Sequence, residues 1–272
     1  MNELVSHPLT DNRLFDTVQS RMQLRQYSAE TIKAYLGQLR SFLRYIHPRH
    51  PRNIAMEEMR EYLQLLMEMN HSRSTIDQTI NALRFLCVDV FGKNFDLDNF
   101  SRPQKNKIPP VVLTLDEVKR IAVAAENPKH RLMIELAYSA GLRVSELAEV
   151  RVKHMNLGKL MLYVPAVGKG RKGRITIFSD SLRDALARQI GNKKPDDHLF
   201  PSERGGRLGT RAISKFFKAA LAASGVKKEA TLYSLRHSFA IYLLQNGTDL
   251  VTLQDLLGHN RRSSTSVYKK VG

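Results

Sequence analysis

Several arginines, lysines, histidines and one tyrosine in the second half of this chain stand where side chains could meet an anion. Arg143 follows Gly141 and Leu142 at what reads as the end of a helix, with Glu146 three residues on as a candidate supporting carboxylate. An arginine at such a turn can face a ligand, although among 43 basic residues it can also be merely solvated or structural. The stretch VGKGRKGR packs Lys169, Arg171, Lys172 and Arg174 into six residues. Its glycines let the backbone approach a bulky partner, for which a phosphate backbone is natural; the plain alternative is a solvated basic turn. Arg236 and His237 then fall near the start of a helix, whose N-terminus attracts phosphate. His237 lies on a helix with a strong apolar side and reads as a structural histidine, outside the catalytic set. His259 follows a helix-stopping glycine, Gly258, and Tyr268 comes nine residues later. Of all these spacings the last is the most informative.

Overall charge points the same way. Lysine and arginine number 43 against 26 aspartates and glutamates, a net +17 with pI about 10.1, so a polyanionic partner is expected. No run has the length of a spanning helix, and the opening MNELVSHPLT lacks a basic-then-apolar signal pattern. The expectation is a soluble, cytoplasmic protein that acts on nucleic acid and not on a membrane. Cys87, the only cysteine, sits in the apolar run LRFLCVDVF and reads as a buried small hydrophobe with no thiol chemistry. Nine histidines are scattered without an HExxH or CxxC pattern, so no metal is expected.

These groups need a scaffold, and periodicity supplies a mainly α one with a small β-sheet. From a capping Ser28, the residues Ile32, Tyr35, Leu36, Leu39, Phe42, Leu43 and Ile46 recur at helical spacing. Similar stripes at Met59 to Met67 and Ile76 to Leu86, with a shorter candidate over residues 12–24, make residues 1–100 a helical bundle. Residues 101–112, SRPQKNKIPPVV, hold three prolines and three basic residues and read as a linker to a second domain, 113–272. Thr114 and Glu117 form a capping box opening that domain. The runs 160–164 and 174–178 form a β-hairpin around the glycine-lysine loop, and helices return near Asp180 and over roughly 210–224, 234–246 and 249–257. Gly247 and Gly258 read as helix stops.

The ordered set GLRVSEL, GKGRKGR, LRHSFA and LGHNRRSSTSVY resembles the tyrosine recombinases, over most of residues 112–272. The helical first domain, notably YSAETIKAYLGQLRSFLRY, resembles their DNA-clamping core-binding domain, and the overall pattern is similar to the Xer and integron integrase branches. The resemblance implies an α+β catalytic domain in which Arg143 and Arg236 clamp a phosphate and Lys169 is the general acid. His259 would bind the phosphate and assist proton transfer, and Tyr268 would be the nucleophile. It further implies a covalent phosphotyrosine, site-specific exchange between double-stranded DNA partners, a homotetramer on paired sites, and no cofactor. The residue types suit that chemistry. Fixed cations stabilise the charge on the nonbridging oxygens, and two arginine forks can supply what a metal supplies elsewhere.

Two features depart from the family. It usually has histidine or lysine two residues before LRH, where this chain has Tyr233, which either donates to the phosphate or packs beside the site. Four residues follow Tyr268, where relatives usually continue into a helix docked on a neighbour, so either the chain is cut short or assembly differs, with subunit contacts weak in the absence of DNA. No clear candidate exists for the extra helical insertion of integron integrases, which disfavours structured single-stranded substrates. A type IB topoisomerase and an inactive DNA-binding protein are the competing readings. The short helical first domain disfavours the first, and the presence of all five core residues disfavours the second.

Overall fold

The computed structural model describes residues 12–97, 100–102, 104, 109–166, 173–258 and 268. The chain divides into two compact units, Met1–Lys107 and Ile108–Gly272, with the division inside the proline-rich stretch 101–112.

Four helices build the first unit: α1 (Asn12–Leu24), α2 (Ala29–Ile46), α3 (Met56–Glu68) and α4 (Arg73–Arg84), the last running into a π-helical turn, Phe85–Val90. Ser28 and Ser72 cap α2 and α4 by accepting hydrogen bonds from the backbone N–H groups of Thr31 and Thr75, donors that the helices themselves leave unpaired. The apolar stripe of α2 meets those of α3 and α4 in a core that includes Leu36, Phe42, Leu63, Ile76 and Leu83. Cys87 is buried in that core with its thiol 3.9 Å from the Met59 sulfur. Burial pushes its pKa up to about 11, so the thiol is chemically quiet.

The second unit starts at α5 (Leu115–Val123), where Thr114 and Glu117 form the expected reciprocal cap. Next come α6 (Pro128–Ser139), the short α7 (Val144–Glu149), and three strands, β1 (Met155–Asn156), β2 (Met161–Val164) and β3 (Arg174–Ile177). The strands form an antiparallel sheet in the order β1-β2-β3, with Tyr163 opposite Ile175 and Val164 opposite Arg174. Helices α8 (Arg183–Ile190), α9 (Thr210–Ala223), α10 (Leu232–Gln245) and α11 (Leu250–Leu257) complete the unit. Strand β1, absent from the sequence reading, is two residues long and too short to show an alternation.

Strand β3 alternates against hydropathy. Thr176 is buried, whereas Ile175 and Ile177 are exposed. This inversion turns Arg174, on the Thr176 side of the pleat, toward the protein interior. Among the described residues, no helix is long and apolar enough to cross a membrane.

Candidate active site

Glu146 is the centre of the site. It lies in the first turn of α7 with its side chain 3% exposed, a burial that an ionised carboxylate sustains only with partners. Three arginines supply them. Arg143, the residue capping α7, donates its backbone N–H to Oε2 at 2.8 Å and its Nη1 to Oε1 at 2.6 Å. Arg174 comes from β3 as a two-pronged fork, Nη1 to Oε1 at 2.8 Å and Nη2 to Oε2 at 2.9 Å. Arg236, in the first part of α10, places Nη1 3.6 Å from Oε2. Burial alone would raise the carboxyl pKa. The hydrogen bonds and charge of Arg174, and then of Arg143, instead bring it down to about 2.

Arg236 is fully buried. Its Nη1 donates to the Gly141 carbonyl at 2.7 Å and its Nη2 to the Leu257 carbonyl, so the side chain bridges the turn after α6 to the end of α11. Gly141 has a reason to be glycine. Its φ is +59° and a Cβ there would lie 2.5 Å from the Phe239 ring. The Nε of Arg236 is buried and makes no hydrogen bond among the described residues, a donor left over for an incoming anion. Burial, and then the charge of Arg143, lowers the Arg236 pKa to about 9, which still leaves it charged at neutral pH.

Arg174 differs from its sequence reading as a DNA contact on the hairpin. Its side chain is 7% exposed, both prongs are occupied by Glu146, and Nε donates to the Leu256 carbonyl at 2.7 Å. Directly above, Gly258 has φ +60°, and a Cβ there would lie 2.7 Å from Arg174 Cδ. Arg174 therefore holds the turn that leads into His259 against the carboxylate that holds Arg143. His259 itself, with Lys169, Arg171 and Lys172, lies outside the described residues.

Tyr268 is buried, 1% exposed, and packs with Phe239, Ala240, Ile241, Leu253 and Leu257. Its hydroxyl lies 2.9 Å from Nδ1 of His237. The Tyr268 pKa is pushed up to about 12 by burial and by Tyr233, with Arg236 and Arg143 pulling the other way. Tyr233, 52% exposed, sets its ring edge-on to the His237 imidazole, with centroids 4.3 Å apart and planes at 83°. His237 was read from sequence as structural. Its place one helical turn after Tyr233 on α10, beside Arg236, was the available signal, but only the fold brings Tyr268 to that face.

Arg143, Arg236, Glu146, Tyr233 and Tyr268 thus converge from α7, α10 and the C-terminal segment. Three guanidinium groups against one carboxylate leave two positive charges beside a tyrosine hydroxyl. Such an arrangement can hold an anionic group next to a nucleophile.

The Phage integrase family profile matches residues 111–272, and that of the phage integrase N-terminal SAM-like domain matches residues 14–96. An integrase/recombinase of Escherichia coli is 32% identical over 97% of this chain and 91% of its own length. The tyrosine recombinase XerD of Oceanobacillus iheyensis is 32% identical over 91% of this chain and 89% of its own. Among solved structures, the XerA recombinase is 26% identical with a TM-score of 0.54, covering 94% of this chain and 93% of that one. A lambda integrase tetramer bound to a Holliday junction, 21% identical, shares the fold with a TM-score of 0.77 over 98% of this chain and 80% of that one. The chain belongs to the phage integrase family of tyrosine recombinases and sits with its Xer-like branch.

Proposed function

We propose that this enzyme cuts and rejoins double-stranded DNA at specific sites through a covalent 3′-phosphotyrosine on Tyr268. The observation that carries the reading is that Arg143 and Arg236 converge on one buried carboxylate, Glu146, while the charges of both arginines act on the Tyr268 phenol. Arg143 and Arg236 hold the nonbridging oxygens of the scissile phosphate and stabilise the charge that builds there during in-line attack. Lys169, in the segment between β2 and β3, protonates the departing 5′ oxygen, and His259 holds the phosphate. Tyr268 forms the new bond to phosphorus. Because the phosphotyrosine retains the energy of the broken phosphodiester, a 5′-hydroxyl of the same or another strand reverses the step without ATP. Residues 1–100 serve as the core-binding domain that clamps the duplex, and Arg171 and Lys172 meet its backbone.

Both Tyr268 and Arg236 are buried in the free protein. Exchange between two duplexes uses four active sites, so the protein gathers as a homotetramer on paired sites, in the cytoplasm where chromosomal and mobile DNA meet.

The experiment is covalent trapping on nicked duplexes drawn from a randomised pool, so that no recognition sequence has to be assumed. Wild-type protein should yield a protease-sensitive adduct at the 3′ phosphate. Tyr268→Phe should yield none while binding DNA nearly as before. Persistent adduct in that variant would remove Tyr268 as nucleophile.

A further inference from the structure

A buried phenol whose pKa stands near 12 keeps its proton at neutral pH. Attack on phosphorus then requires a group that takes the proton as the bond forms. That group has to lie within hydrogen-bond reach of the hydroxyl, and Nδ1 of His237 does, at 2.9 Å. Tyr233, which occupies the position where the family usually carries histidine, has no ring nitrogen to accept a proton. Its ring instead abuts the imidazole edge-on and limits the ring's rotation.

We propose that Nδ1 of His237 accepts the Tyr268 proton during strand cleavage and returns it during rejoining. This rests on the reading of Tyr268 as nucleophile. In cleavage the Tyr268 oxygen bonds to phosphorus, the bond from phosphorus to the 5′ oxygen breaks, and the phenol proton passes to Nδ1. The departing 5′ oxygen takes its own proton from the general acid, Lys169. In rejoining a 5′-hydroxyl attacks and gives its proton to the neutral Lys169 amine, the bond from phosphorus to Tyr268 breaks, and the imidazolium gives its proton back to the phenolate. The environment of His237 fits both directions. Burial, and then the adjacent Arg236, holds its pKa below that of an ordinary histidine. The resting ring is therefore neutral and able to accept, and the imidazolium once formed is a ready donor. With Nε2 carrying the ring hydrogen, the Nδ1 lone pair points at the hydroxyl.

The test uses nicked duplexes that wild-type protein converts to adduct. His237→Asn keeps a polar group near the Nδ1 position but cannot take a proton. It should slow single-turnover cleavage by about 10²-fold or more, with duplex binding unchanged. A more acidic 3,5-difluorotyrosine at position 268 should recover most of that loss, because its proton needs less help to leave. A 5′-bridging phosphorothiolate, whose sulfur leaves without protonation, should rescue Lys169→Ala but not His237→Asn. Cleavage by His237→Asn close to the wild-type rate would overturn the proposal, as would a defect that difluorotyrosine leaves untouched. Nitrogen NMR of histidine-labelled wild-type protein tests it without any substitution. Nδ1 of His237 should be the unprotonated nitrogen, and an Nδ1–H tautomer would refute the assignment. Failure of the wild type itself to form any adduct would instead strike at the nucleophile reading.

Discussion

The two units of this protein treat polar burial in opposite ways. In the first, Thr79 is the buried polar side chain among the described residues, and its hydroxyl is served by Gln38 Oε1 at 3.0 Å and the Thr75 carbonyl at 2.9 Å. In the second, Glu146, Thr176, Ser234, Arg236 and Ser238 are all buried, two of them charged. Apolar packing suffices for a helical scaffold, whereas charge taken out of water is costly and gains little stability over a hydrophobic replacement. The second unit carries that burden where phosphoryl transfer needs fixed cations, so the contrast separates residues kept for packing from residues kept for chemistry.

The sharpest way to break this contrast is to neutralise one buried polar group in each unit. Glu146→Gln leaves three guanidinium groups without a countercharge and should destabilise the second unit by about 3–5 kcal/mol in chemical denaturation. Thr79→Val should change the first by about 1 kcal/mol or less. The acid side is informative as well. The Glu146 pKa is lowered from 4.5 to about 2, so its contribution is complete above 4.5 and is lost as pH falls toward 2. Wild type and Glu146→Gln should therefore differ most at neutral pH and converge in acid. Equal sensitivity of the two units would erase the distinction.

Arg143→Ala and Arg236→Ala should each slow cleavage by about 10²-fold or more, with or without a chelator. Arg236→Ala should also lower stability, because Arg236 ties the Gly141 turn to the end of α11, and single-turnover rates at saturating DNA separate the two effects. A magnesium requirement appearing in either variant would point to a different mechanism. Smaller again is Tyr233→His, expected to keep cleavage within about threefold of wild type or to raise it, since histidine can donate and carry charge. A large loss there would mean that the edge-on contact of Tyr233 with His237 is needed to hold the imidazole in place.

Much of this was legible in sequence, because helical stripes, capping serines and proline punctuation are local signals. Ser28 and Thr114 cap helices through bonds that span three residues. Arg143, Arg236 and Tyr268 were legible as a set through their ordered motifs. Two features were not. Arg174 looked like one more cation on a basic loop, and only the pairing of β2 with β3 fixes which face of the strand it takes. An alternation argument would bury Ile175 and Ile177 and expose the arginine, the reverse of what the sheet does. His237 meets Tyr268 across 31 residues, a contact that no helical or strand period encodes.

The charge imbalance around Glu146 has a thermodynamic consequence. Arg143, Arg174 and Arg236 repel one another inside a nearly dry site, and a single carboxylate offsets only part of that repulsion. The free protein therefore holds a strain that an arriving phosphate relieves. Any ligand that binds the folded form more tightly than the unfolded chain raises the melting temperature, and here the gain should be concentrated in the second unit. Inorganic phosphate or vanadate alone, with no DNA present, would then act as a local stabiliser, and heat would discharge the empty enzyme before the occupied one.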